Sequence, residues 1–267
     1  MYRVARRVAK AVAGVPLTEV WFAFPALQAQ TGALLGQRIE AVETLGKALL
    51  VRFESGYTIY THNQLYGRWM FSKPEQRPDT RRQLRLALSG PTRSALLYSA
   101  STIELIRPGL LAAHPFVQRA GLDVLSSRAE VAEIVAWIAQ PRFARRRLGL
   151  LLLDQSFLAG IGNYLRSEIL FDAGLDPAQR PVDLDQNALR ALAVVVHRLL
   201  WRSVETAGIT NDPKLAATLR AAGWRRRDYR HFVFGRHAQA CFRCDRPIER
   251  IEVGGRRLYR CPGCQSR

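Results

Sequence analysis

The stretch Cys241-Phe-Arg-Cys244-Asp-Arg-Pro-Ile-Glu-Arg-Ile-Glu-Val-Gly-Gly-Arg-Arg-Leu-Tyr-Arg-Cys261-Pro-Gly-Cys264 decides how the chain ends. Two Cys-x-x-Cys pairs separated by 16 residues can bring four thiolates to one tetrahedral zinc ion, each pair reaching the metal from a single tight turn. Between them, Ile248 to Val253 and Arg257 to Arg260 alternate as the two strands of a short hairpin do. The stretch predicts a zinc ribbon. Four thiolates close the coordination shell, so this metal is expected to be structural, and any chemistry lies elsewhere. Two disulfides or free thiols are the alternatives. Disulfides belong to oxidising compartments, but no signal peptide or long apolar run is present and the chain has no other cysteine. A cytoplasmic protein that does not enter a membrane is expected.

Working outward, the charge comes next. Forty Lys and Arg stand against 22 Asp and Glu in 267 residues, a net +18. Such an excess suits a polyanion, because neutralising phosphates releases counterions. A generally basic protein, or one held at an acidic membrane surface, would share the number. The zinc ribbon beside it favours nucleic acid. With 48% hydrophobic residues, the chain can also bury more than one core.

The hydrophobic period changes twice along the chain. Val4, Val8, Ala11 and Val12 recur at helical spacing with Arg3, Arg6, Arg7 and Lys10 opposite, predicting an amphipathic helix over 3–13. Short segments rich in Val, Leu, Ile and Tyr follow at 39–44, 48–53, 57–62, 84–88, 95–98 and 103–106, broken by Gly, Pro, Asn or Ser. They read as an antiparallel β-sandwich. After Pro108 the pattern is helical again, at 129–139, 143–151, 163–173, 186–205 and 213–222. The expected protein is α+β: a β-sandwich domain over 1–125, a helical domain over 126–230 and the ribbon over 231–267.

Within the helical part, Gly160-Ile-Gly162-Asn163-Tyr-Leu-Arg166 puts two glycines in a tight turn and Asn163 where a helix N-cap belongs. Free amides at a helix start can hold a phosphate. An ordinary capped helical hairpin would use the same residues.

Together the ribbon, the Gly160 to Tyr164 turn, Gly46-Lys47-Ala-Leu-Leu50 and His62-Asn63-Gln64-Leu65-Tyr66-Gly67 resemble the formamidopyrimidine-DNA glycosylase and endonuclease VIII family over nearly the whole chain. Pro16 to Phe24 and the Gln64-Leu65-Tyr66 run are similar to its endonuclease VIII branch. The resemblance implies that the helical domain is of the helix-two-turn-helix kind. It also implies base excision in damaged double-stranded DNA by a monomer: removal of oxidised bases, mainly pyrimidines, then strand cleavage by β,δ-elimination. The damaged nucleotide would leave the stack. Gln64, Leu65 and Tyr66 would fill the hole with an amide for the orphan base, an apolar wedge and a ring, although a plain hydrophobic turn also accounts for Leu65 and Tyr66. By the same resemblance, Lys47 contacts phosphate and assists proton transfer, whereas by itself it reads as a solvated strand-edge lysine. Arg256 similarly would grip the lesion's phosphates through a planar guanidinium and assist δ-elimination, with Arg119 and Asn163 completing the hold on the backbone.

Two departures stand out. Leu122 replaces the proline the family usually has after glycine. The family's mature chain opens Pro-Glu, the proline amine attacking the sugar C1′ and the glutamate moving protons, whereas this sequence opens Met1-Tyr2-Arg3. Either the start lies upstream, which the arginines crowding an uncapped helix start support, or the chain is a catalytically inactive binder of damaged DNA. An RNA-binding zinc-ribbon protein, with no preference for damaged DNA, is the third reading.

Overall fold

In a computed structural model, which describes residues 1–64 and 66–265, the unit Met1–Arg119 is built on two antiparallel four-stranded sheets. Its strands are β1 (Glu19–Phe22), β2 (Ile39–Leu45), β3 (Ala48–Phe53), β4 (Thr58–His62), β5 (Arg68–Ser72), β6 (Leu84–Ser89), β7 (Ser94–Tyr98) and β8 (Thr102–Ile106). One sheet runs β1-β6-β7-β5 and the other β2-β3-β4-β8. Leu49, Val51 and Phe53 of β3 meet Phe22, Leu86, Leu88 and Leu97 of the other sheet in one core. Ala48 and Leu50 point the opposite way, into a second cluster with Tyr60, Ile106 and Phe116. Burial on both faces is why β3 is apolar at almost every position.

Helix α1 (Tyr2–Val12) lays Ala5, Val8, Ala11 and Val12 into the sandwich core and leaves its arginines outside. Two short helices, α2 (Pro25–Gln28) and α3 (Pro115–Arg119), complete the unit. Strands β1 and β5 were not anticipated. Both lie at sheet edges, where pairing on one side suffices and charged residues such as Glu19 and Arg68 blur the alternation.

The unit Ala120–Arg267 contains α4 (Val131–Ile138), α5 (Leu148–Leu151), α6 (Asn163–Asp172), α7 (Gln186–Glu205), α8 (Pro213–Ala221) and α9 (Arg226–Tyr229). A hairpin of β9 (Glu249–Val253) and β10 (Arg256–Arg260) follows. Asp185 caps α7 by accepting from Ala188 N, and Leu189, Leu192, Ala193, Val196, Leu199 and Leu200 form its buried stripe. The helix expected over 143–151 is only α5. Phe143 N donates to Gln140 O and Arg146 N to Phe143 O, so residues 140–146 form three-residue turns, and bonds from Leu148 N to Gln179 O and Gly149 N to Pro177 O fix where the helix begins.

Helix α6 carries the functional geometry. Every residue from Leu165 to Phe171 is buried, including Arg166, Ser167 and Glu168. Its N-cap is Gly162, not Asn163; Asn163 is the first helical residue, its amide donating across to Arg257 O and accepting from Arg166 one turn on.

Candidate functional site

The four cysteine sulfurs lie within 4.8 Å of one another. Cys241 and Cys264 are 3.9 Å apart and Cys244 and Cys261 3.3 Å, far beyond a disulfide bond of about 2.05 Å. A tetrahedron with metal–sulfur bonds near 2.3 Å has edges of about 3.8 Å, so the thiols fit a single zinc-sized ion. A side chain at Gly263 would approach Cys244 Sγ to 3.0 Å and Arg246 Cδ to 2.7 Å, which explains the glycine of the second knuckle. Gln265 ties this knuckle to the helical part, accepting from Cys261 N at 2.9 Å and donating to Leu175 O at 2.9 Å.

Arg166 joins the start of α6 to the ribbon hairpin. Its guanidinium donates to the carbonyls of Gly149 (2.8 Å), Val253 (3.2 Å) and Arg257 (3.2 Å) and to Asn163 Oδ1 (2.7 Å). A longer bond of 3.4 Å reaches the Arg256 carbonyl. Asn163 Nδ2 in turn donates to Arg257 O at 2.8 Å. Asn163 and Arg256, proposed from sequence, are thus brought to one place by a residue to which the sequence assigned no role. Burial, and then the positive charge of Arg256, lower the Arg166 pKa to about 10. Arg256 itself is exposed, free to meet an anion that would offset this repulsion.

A second missed residue is Glu168. One carboxylate oxygen accepts from Thr210 Oγ1 (2.6 Å) and Phe232 N (2.7 Å), the other from Val233 N (2.8 Å) and Phe234 N (2.9 Å). Burial raises its pKa against the opposing pull of these four donors. Since the threonine proton goes to Glu168, His231 Nδ1 must donate to Thr210 Oγ1 at 2.8 Å. Burial, then the charges of Arg230 and Arg226, lower the His231 pKa to about 3. The carboxylate and the neutral imidazole fix the segment that leads into Cys241. A polar pair in a helix flanked by Leu165, Ile169, Leu170 and Phe171 was the available signal.

In the first unit, Gly46 (φ 57°) and Lys47 form the turn between β2 and β3. His62 ends β4, paired with Ala48 on one side and Thr102 on the other. Gln64 donates from its backbone N to His62 Nδ1 (3.2 Å) and from Nε2 to Thr102 Oγ1 (3.2 Å). Its φ of 49° is left-handed, a strained state for a residue with a side chain. Tyr66 is 70% exposed, its carbonyl accepting from Arg82 at 2.7 Å. Leu65 lies outside the described residues. His62, which sequence reasoning quoted without assigning a role, thus accepts from Gln64 and lies within the electrostatic reach of Lys47. Arg119 ends α3, its Nε bonded to Pro115 O at 3.1 Å.

Comparison with known proteins bears on the domains and the family. Residues 1–99 match the formamidopyrimidine-DNA glycosylase N-terminal domain and residues 120–214 the formamidopyrimidine-DNA glycosylase H2TH domain. Endonuclease 8 of Enterobacter sp. (strain 638) is 42% identical over 264 residues, 99% of this chain and 97% of that one. Endonuclease 8 of Shigella flexneri serotype 5b (strain 8401) is 43% identical over 263 residues, 98% of this chain and 97% of its own. The fold is shared with the Lactococcus lactis formamidopyrimidine-DNA glycosylase bound non-covalently to DNA containing an AP site, at a TM-score of 0.79 and 18% identity, covering 100% of this chain and 98% of that one. The chain belongs to the formamidopyrimidine-DNA glycosylase family, on its endonuclease VIII branch.

Proposed function

We propose that the protein is a base excision repair glycosylase and abasic-site lyase. It acts in the bacterial cytoplasm as a monomer on oxidised bases, chiefly pyrimidines, in duplex DNA and cuts the strand by β,δ-elimination. The observation that carries the reading is the assembly in which Arg166 ties the Asn163 amide to the turn bearing exposed Arg256. Such an assembly fixes the Asn163 amide and the backbone that carries the Arg256 side chain, as a grip on a DNA backbone requires. Arg256 takes the lesion's phosphates and assists δ-elimination, while Asn163 and Arg119 hold flanking backbone. Lys47 contacts phosphate and moves protons. Gln64, Leu65 and Tyr66 enter the stack as the damaged nucleotide leaves it. A zinc ion on Cys241, Cys244, Cys261 and Cys264 is structural: it closes the ribbon and thereby fixes the hairpin that carries Arg256.

In the family an N-terminal proline amine displaces the base at C1′, and the iminium so formed can be reduced by borohydride. Two proteins test the reading on a duplex with one oxidised pyrimidine: the chain from Met1, and the same chain preceded by the family's Pro-Glu-Gly-Pro-Glu. A borohydride-trapped adduct and strand cleavage with the preceded chain are expected. Lesion-selective binding by both without adduct or cleavage would make the protein a binder, and equal affinity for damaged and undamaged duplex would overturn the assignment.

A further inference from the structure

We propose that His62 is a positioning residue for Gln64, holding it for insertion into DNA through an unprotonated Nδ1 and releasing it when that nitrogen is protonated. The inference rests on the lesion-binding reading above. Gln64 has a left-handed φ of 49°, a conformation unfavourable for a residue with a side chain that persists only where bonds enforce it. Two bonds do so: Gln64 N to His62 Nδ1 and Gln64 Nε2 to Thr102 Oγ1, both 3.2 Å. The first requires His62 Nδ1 to be an acceptor, so the neutral ring carries its proton on Nε2. A second proton would replace that acceptor with a donor facing a donor.

The surroundings set the direction. The ring packs edge-on against Phe116 of α3, 6.1 Å between centroids. From the β2–β3 turn comes the Lys47 ammonium; from β8 comes Glu104, which pairs with His114 at 3.2 Å; from β4 itself comes Tyr60, stacked on His114 at 4.6 Å. Burial first, and Lys47 second, lower the His62 pKa from the ordinary 6.5. His62 is therefore neutral at pH 7 and Gln64 is held, and acid strong enough to protonate the ring releases it.

The experiment uses the full chain and a duplex with an uncleavable tetrahydrofuran abasic analogue, with 2-aminopurine in the opposite strand to report insertion by its fluorescence. It needs no catalytic step. Wild type is compared with His62→Asn, whose amide oxygen can keep the acceptor without titrating, and with His62→Phe, which keeps the ring and loses it. The wild-type response is expected to fall about five-fold as acidification from pH 7.5 protonates His62. His62→Asn gives a response independent of pH over the same acidification, and His62→Phe one that is low throughout. An undiminished response in His62→Phe, or the wild-type pH fall persisting in His62→Asn, overturns the role of His62. A urea titration of each variant shows whether it is folded, and the His62→Asn profile decides if His62→Phe is not. A wild type that prefers the lesion duplex yet shows no response at any pH overturns the proposal alone, whereas a wild type with no lesion preference overturns the lesion-binding reading and the proposal with it.

Discussion

Helix α6 and the corner at Gln64 each offer polar groups to the proposed DNA surface, but they are held very differently. Arg166 and Glu168 are fully buried and make several bonds each, whereas Gln64 is exposed, sits in a left-handed conformation and hangs on two bonds of 3.2 Å. The difference matches what each part is asked to do. A phosphate grip gains from groups whose geometry is already set, because binding then freezes little. An insertion loop must pass from one environment to another, so it is drawn from the weakly held end of the structure.

The largest effect expected on the rigid side is at the metal. Zinc binding and ribbon folding are coupled by on the order of 10 kcal/mol, so Cys261→Ser or chelation should unfold residues from about Phe232 onward. The buried cluster of Phe171, Phe232, Val233, Ile248 and Tyr259 would open with it. Limited proteolysis and loss of duplex binding read this out. Survival of both would mean the thiols close the ribbon without metal.

Next comes Arg166→Met, which fills a similar volume but orphans Asn163 Oδ1 and several buried carbonyls. A loss of about 3–5 kcal/mol in urea unfolding is expected, with lesion affinity falling in the fraction that stays folded. A change below about 1 kcal/mol would show that the hairpin is held by other contacts.

His231 supplies a pH test of the same region. Its folded pKa, about 3, lies below the ordinary 6.5, so below pH 6.5 the unfolded chain takes up a proton that the folded one refuses. Stability is then lost as pH falls from 6.5 towards 3, by on the order of 1.4 kcal/mol per unit from this group. Urea unfolding at pH 6.5 and 5 measures the slope, and His231→Gln should flatten it.

The contrast also governs what the sequence disclosed. The ribbon was legible because a tetrahedral thiolate site leaves its spacing in the chain. Strand β3 was legible because burial on both faces makes a nearly continuous apolar run, and α7 because its one buried stripe keeps the helical period. Strands β1 and β5 escaped as edge strands. Arg166 and Glu168 escaped for a deeper reason: periodicity assigns a charge on a helix to water, and α6 has no water side. Nor does spacing show that Asn163 bonds across to Arg257, 94 residues away, instead of capping its helix. Lys47, Gln64 and Arg256 could be named only through a family resemblance, since each is one polar residue among many until the fold places it.

The smallest stability effect, and the sharpest test of the contrast, is at Gln64. Gln64→Gly removes the left-handed strain of a φ of 49° but also the bond to Thr102, and it gives the unfolded chain more freedom. These terms oppose one another at about 1 kcal/mol each, so urea unfolding should shift by no more than about 0.5 kcal/mol. Insertion opposite an abasic analogue should nonetheless drop several-fold, because the amide meant for the orphan base is gone and the corner no longer prefers one conformation. A large stability loss would show that the corner is part of the sandwich's framework. Unchanged insertion would leave the task to Leu65 and Tyr66, with no part in it for Gln64.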